Sequence, residues 1–381
     1  MKSVVGAGLS VLALLGATSC DPAEEEPRDV TVVGLPPAPV DPRQDHSLVW
    51  TGQELLVWGG HGADQHAPFS DGAAYSPDTG GWRSLADSPL EPRTRHSTVM
   101  VGDRVLVWGG FTPTHSGGPD GHTARDGAFY DPEDDSWEPI AQAPEGRFLA
   151  RGAVSEGHVV FGGGHSEQGD EDFLVYSVDR DAWHTVVLGG GGEGFAVYDL
   201  VVADSTVVAV GGSQGDMAVA VFGVDDEAAS ARELVGLTEA AEQNVFAGLA
   251  VSPEGSVLLA VRGGGSAGVY EIDGTGQAEL MGSSEYADFR PPVSTFTLPL
   301  DAGGMDVVDG LGLLATGPGD VSMWDPATGW TQRLQTEALA DHCGPLVPAD
   351  DGVVFGWGGW GCGSGVRVDI DLRRSAGSAA A

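Results

Sequence analysis

The chain has little positive charge. Its only lysine is Lys2, and 18 basic residues stand against 56 acidic ones, for a formal net charge of −38. A field of that sign repels nucleic-acid phosphate and anionic lipid surfaces, so nucleic acid is excluded as a partner. Reactive motifs are also missing. No D-x-[DN]-x-[DN]-G loop, no H-x-H or H-E-x-x-H spacing and no G-x-S-x-G elbow occurs, so no metal, cofactor or complete catalytic set is expected. Cysteine is scarce, with three residues at 20, 343 and 362. Glycine is abundant instead: 60 residues, about twice the average share and without a collagen period. That excess suits many short strands joined by tight turns. An apolar content of 41% is enough for a core.

The first twenty residues, MKSVVGAGLSVLALLGATSC, open with the charge of Lys2. An apolar stretch follows over Val4 to Leu15, too short to span a bilayer comfortably. Small residues then lead into Cys20. The segment resembles a bacterial lipoprotein signal, which implies cleavage before Cys20 and lipidation of that cysteine. Residues 1–19 are therefore read as a signal peptide and 20–28 as an acidic tether, with 373–381 a flexible tail. The resemblance implies an exported protein anchored to a membrane through its N-terminal lipid alone.

Between the tether and the tail the sequence repeats. Hydrophobic runs end in paired glycines at Gly59-Gly60, Gly109-Gly110, Gly162-Gly163, Gly211-Gly212, Gly263-Gly264 and Gly358-Gly359. The intervals are 50, 53, 49, 52 and 95 residues, the last spanning two periods. Around these marks the first repeat reads DHSLVWTGQELLVWGG, then DGAAYSPDTGGWRSLADSP. The second reads RHSTVMVGDRVLVWGG, then DGAFYDPEDDSWEPIAQAP. Short apolar runs bounded by Gly, Asp and Pro are the pattern of buried antiparallel strands. A four-stranded unit of this kind has two apolar faces and buries them only by stacking on neighbours. The period and the motifs resemble the kelch repeat. That resemblance implies an all-β, kelch-type β-propeller over residues 29–372, with seven blades, or six and one aberrant repeat. The segment Val30 to Leu35 is expected to supply the outer strand of the last blade.

On such a scaffold, loops following the double glycines and loops linking blades share one face, where binding is expected. His46, His96 and His342 sit at strand starts and read as core histidines. The Trp and Tyr residues at fixed repeat positions read as packing groups. Arg43, Arg93, Arg95, Arg147 and Arg151 fall in blade-to-blade connections, either tying carbonyls together or binding an anion. The tentative ligand-binding set is Arg93, Arg95, Arg151, His61, His115, His122 and Trp360. Cys343 and Cys362 lie at the same end of the last blade, and export would permit a disulfide between them worth about 3 kcal/mol. The function expected is a membrane-tethered recognition protein that binds a protein or glycan, outside the cell or on its envelope, through the loop face. The alternative is a carbohydrate-active enzyme using that face, similar to an acidic-sugar epimerase or to galactose oxidase.

Overall fold

The computed structural model describes residues 30–370 apart from 63–66, 114–120, 156, 167–171, 190–194, 214–215, 235–245, 253–254, 264–265, 274, 276, 286–303, 309–310, 318–319, 326–329, 335–343, 350–351 and 360–362. Every named element is a strand. The described residues open with β1 (Val30–Gly34). A four-stranded sheet follows: β2 (Ser47–Trp50), β3 (Leu55–Trp58), β4 (Gly72–Ser76) and β5 (Gly81–Ser84). Next come β6 (Ser97–Val101), β7 (Arg104–Trp108), a ribbon of β8 (Phe111–Pro113) and β9 (Gly121–Thr123), then β10 (Gly127–Asp131) and β11 (Ser136–Pro139). Strands β6, β7, β10 and β11 form the second sheet.

An eight-stranded sheet combines two meanders. One is β12 (Arg151–Ser155), β13 (His158–Gly162), β14 (Phe173–Ser177) and β15 (Ala182–Gly189). The other is β16 (Ala196–Ala203), β17 (Thr206–Ser213), β18 (Asp216–Gly223) and β19 (Ala228–Glu233). Their outer strands β15 and β19 pair in parallel over Val187–Gly189 and Ala228–Ser230. Two further four-stranded sheets are β20 (Phe246–Val251) with β21 (Val257–Gly263), β22 (Ser266–Ile272) and β23 (Ala278–Glu285), and β24 (Gly304–Val308) with β25 (Leu311–Gly317), β26 (Asp320–Asp325) and β27 (Trp330–Leu334). The last strands are β28 (Leu346–Pro348), β29 (Val353–Trp357) and β30 (Gly365–Ile370), and β1 joins them as the outer member. The β1–β30 register runs from Val30 opposite Ile370 to Gly34 opposite Val366. The expected strand is therefore present over Val30–Gly34, and the first described strand completes the last described sheet. This is an all-β, kelch-type propeller.

The repeat signals have local causes. Gly59, Gly60, Gly109, Gly110, Gly358 and Gly359 all have positive φ. A Cβ on Gly60 would meet the Gln44 carbonyl oxygen at 2.5 Å, and one on Gly109 would meet the Arg147 carbonyl oxygen at 2.5 Å. The pair thus lets one sheet's strand end press against its own first strand and against the next sheet. In the third repeat the residues in this conformation are Gly163 and Gly164, one place later than the expected pair. In the fourth, Gly211 and Gly212 continue β17 instead of turning. Tyr and Trp hold the outer edges together. Tyr130 and Tyr176 donate to Asp135 and Asp181 at 2.6 and 2.8 Å, and these carboxylates accept the backbone N–H groups of Ala86 and Ala141. The indole N–H groups of Trp82, Trp137 and Trp183 donate to the carbonyls of Pro36, Ala86 and Ala141 in the preceding linkers. Between the sheets the buried apolar side chains form several clusters, each shared by neighbouring sheets. Trp58 and Trp108 are fully buried and pack on Trp137 and on Phe161 of adjoining elements.

Candidate functional site

The arginines of the linkers divide into two groups. Arg43, Arg93 and Arg147 are at most 1% exposed. Each sends Nη1 to a carbonyl of the double-glycine turn ahead of it: Gly59 at 3.1 Å, Gly109 at 3.1 Å and Gly163 at 3.3 Å. Arg93 also grips the Asp126 carboxylate at 2.9 and 3.2 Å and the Glu91 carbonyl at 3.0 Å. A buried guanidinium with its donors spent in this way is a tie within the scaffold. Arg93, expected at the ligand face, is corrected to that role.

Arg95 and Arg151 are different. Both line a cavity of about 290 Å³ at the head of the first strands, with Asp45, Ser47, His96 and Asp199 among its other walls. Strands β2, β6, β12 and β16 lie side by side there. The geometry repeats from sheet to sheet. Asp45, Arg95 and Leu149 adopt φ of 53°, 57° and 63°, which non-glycine residues rarely accept. A backbone chain fixes them, with Arg95 N–H on the Asp45 carbonyl at 3.1 Å and Leu149 N–H on the Arg95 carbonyl at 2.8 Å. Strain held at a cleft is a pointer to function.

Asp45 is half-buried and shared by two partners. It accepts from Arg95 Nε at 2.9 Å and from His61 Nε2 at 3.1 Å. Burial works against its charge, but the His61 hydrogen bond and the Arg95 cation hold the carboxyl below its ordinary value. For His61, burial is likewise opposed by the bond to Asp45 and by the Gly62 carbonyl at 2.8 Å from Nδ1, and the imidazole is raised. His61 is 5% exposed, so it stands behind Asp45 and reaches the cavity only through it. Arg95 keeps its two terminal nitrogens: its side chain is 37% exposed, and Nε alone has a partner among the described residues.

Across the cavity, Arg151 Nε donates to the Tyr198 carbonyl at 3.2 Å. Tyr198 is the extra residue of a β-bulge, since the β16–β17 register jumps between Val197 and Asp199. Bulges re-aim side chains, and here Asp199 becomes part of the wall. Its oxygens accept from Leu200 N at 2.9 Å and Leu249 N at 2.8 Å. Burial raises the carboxyl, with Arg151 and the two N–H groups opposing. His96 packs edge-on to Trp58 at 4.9 Å and shares a 2.5 Å hydrogen bond with Ser47 Oγ. Burial first, then the charges of Arg93 and His46, push it down to about 3. His46 sits edge-on to Trp357 at 5.4 Å. His46 is buried at its strand start, as read from the sequence, whereas His96 is half-buried and forms part of the cavity wall.

His122 falls elsewhere, exposed on the β8–β9 ribbon opposite Thr112. His115, Trp360, Cys20, Cys343 and Cys362 lie outside the described residues. Among the described residues no cluster of His, Cys, Asp and Glu could hold a metal ion. Sequence reasoning brought Arg95 and Arg151 to one place and missed Asp45 and Asp199. The available signal for Asp45 was its position two residues after a tie arginine, shared with Arg95 and Leu149. For Asp199 no motif marks the place.

The fold has known relatives. The chain is similar to the protein in "Structure of YjhT" at 14% identity, covering 79% of this chain and 99% of that one, with a TM-score of 0.51. That likeness shows the fold alone. A comparison with curated proteins gives no match. The profile of the KLHDC2/KLHL20/DRC7 Kelch-repeats domain matches residues 19–212, just over half of the chain, and with the ties and turns above it places the protein in that kelch-repeat family.

Proposed function

We propose that this protein is an exported recognition protein, anchored through lipid on Cys20, that binds a protein or glycan through its loop face. The seven four-stranded meanders are read as seven blades of one ring, with the cavity at the head of four neighbouring inner strands. Arg95 carries the reading. Its Nε is spent on Asp45 while its terminal edge opens on the cavity, a geometry suited to a carboxylate held by two parallel N–H donors. In a chain of net charge −38, an anion is repelled at distance, so its capture requires such a local convergence of Arg95 with Arg151.

The test compares Arg95→Ala and Arg151→Ala for melting and for binding to a panel of acidic glycans and envelope peptides. Lost binding with unchanged melting supports the site. Loss of several degrees in both variants, with no anionic ligand binding to wild type, would make these arginines structural and remove the reading. Anchoring is tested separately, by fatty-acid labelling that Cys20→Ala abolishes. A Cys343–Cys362 disulfide is proposed alongside it and would appear as a crosslinked peptide in unreduced protein; two freely alkylated thiols would refute it. One observation favours catalysis as the second reading: a carboxyl raised by burial, Asp199, faces a polar cavity, as a general acid or base would.

A further inference from the structure

We propose that Asp199 is a second ligand-contacting group of the cavity, accepting a hydrogen bond from a hydroxyl or ammonium on the same compact anionic ligand that Arg95 holds. The ligand class is then a small hydroxy- or amino-carboxylate, free or displayed at the end of a larger molecule. The inference rests on the reading of Arg95 given above.

The placement of Asp199 follows from the repeat. Cβ atoms built on Gly59, Gly109 and Gly163 would meet the carbonyl oxygens of Arg93, Arg147 and Val197, which makes those three residues equivalent. Two residues further on stand Arg95, Leu149 and Asp199, all three in the cavity wall. Asp199 therefore occupies the ring position of Arg95, two sheets away, with the aliphatic Leu149 between them. The bulge at Tyr198 shifts the register of β16 there, and Arg151 Nε occupies the carbonyl that the bulge leaves outside the ladder.

The carboxyl also differs from the scaffold acids. Asp71 and Asp126 each bind a tie arginine, and Asp45 binds Arg95 and His61. Asp199 accepts only two backbone N–H groups, one on each oxygen, and has no side-chain partner among the described residues. A carboxylate oxygen accepts two hydrogen bonds, so each keeps one acceptor position. The N–H groups fix its orientation from β16 and from β20 of the next sheet, leaving the remaining positions for the cavity. Burial pushes the Asp199 carboxyl up despite these donors and Arg151. A ligand donor would supply the hydrogen bonding that water provides elsewhere.

Four probes test this on the full chain by calorimetry: glucuronate, trans-4-aminocyclohexanecarboxylate, cyclohexanecarboxylate and glucose. A hydrogen bond to a charged group supports a preference of about 10-fold or more. Wild type is expected to bind glucuronate or the amino acid at least that much tighter than cyclohexanecarboxylate, and the better of the two identifies the donor. Asp199→Asn should bring glucuronate and the amino acid down to the affinity that cyclohexanecarboxylate has for the same variant. A melting curve of the variant reports whether the fold around the cavity is intact. Should the variant fail to fold, the wild-type ratio decides. Equal binding of all three carboxylates by wild type would overturn the Asp199 inference and leave the Arg95 reading standing. Glucose binding as tightly as glucuronate would remove the Arg95 reading, and binding of no probe would remove both.

Discussion

Acidification gives the sharpest test of how the scaffold treats His96. In the unfolded chain a histidine titrates near 6.5, whereas burial against Trp58 holds His96 at about 3. A folded value below the unfolded one means that stability is complete above about pH 6.5 and declines as pH falls toward 3. At pH 5 the unfolded imidazole is charged and the folded one neutral, a difference of about 2 kcal/mol by proton linkage. Part of the ring faces the cavity, so water softens the penalty and about 1–2 kcal/mol is expected. His61 and Asp199, both raised, slope the other way. The comparison is therefore between wild type and His96→Gln. Urea unfolding at pH 7, 6 and 5 should show wild type losing about 1–2 kcal/mol more than the variant over that range, whatever the variant's baseline. Parallel pH profiles would refute the claim that His96 is held neutral.

Three further perturbations separate scaffold from site. Arg93→Ala leaves Asp126 and the Gly109 carbonyl without their buried donor, so unfolding experiments should show a loss of about 3 kcal/mol, the low end for broken buried pairs because Asp126 is partly exposed; Arg95→Ala should cost under about 1 kcal/mol. Gly60→Ala forces positive φ on alanine and a Cβ 2.5 Å from the Gln44 carbonyl oxygen, and a loss of about 2–4 kcal/mol is expected; unchanged urea midpoints would show that the turn can relax. Deleting residues 30–34 removes β1 from β30 and exposes a strand edge, which should lower the melting temperature and promote aggregation, read by scanning calorimetry and light scattering.

The legibility of the chain followed its repetition. Glycine pairs, Trp and Tyr recur because every sheet needs the same turn, the same linker bond and the same filled gap, and that recurrence identified the fold. Where the need is met otherwise, the signal weakens. β17 runs on through Gly211 and Gly212 and pairs with β18 as far as Ser213 opposite Asp216, so its glycines count in the sequence without turning the chain. The extra glycine beside Gly162 shifts the turn by one residue. Arg93 and Arg95, two apart in one linker, look alike in sequence. A strand start in the left-handed conformation turns one into the scaffold and the other into the cavity. That difference lies in backbone geometry, which composition does not carry.

The site is built where the repeat is broken. Arg43, Arg93 and Arg147 are the same residue in three linkers because each performs the same task, gripping the turn ahead. Two residues later the equivalent places hold Asp45, Arg95, Leu149 and Asp199: an acid, a base, an aliphatic group and a second acid around one cavity. A scaffold position under a common packing demand would converge on one residue type, as the ties do. Asp45 answers to Arg95 and His61 within the scaffold, whereas unlike side chains at the other three places are what the asymmetric ligand proposed above would require. Opposite charges kept apart by Leu149 also avoid cancelling each other, so Arg95 and Asp199 can each retain an unspent face toward the same occupant. On this argument, exchanging the pair as Arg95→Asp with Asp199→Arg would not restore binding as a swapped salt bridge would, because the two groups answer to the ligand and not to each other.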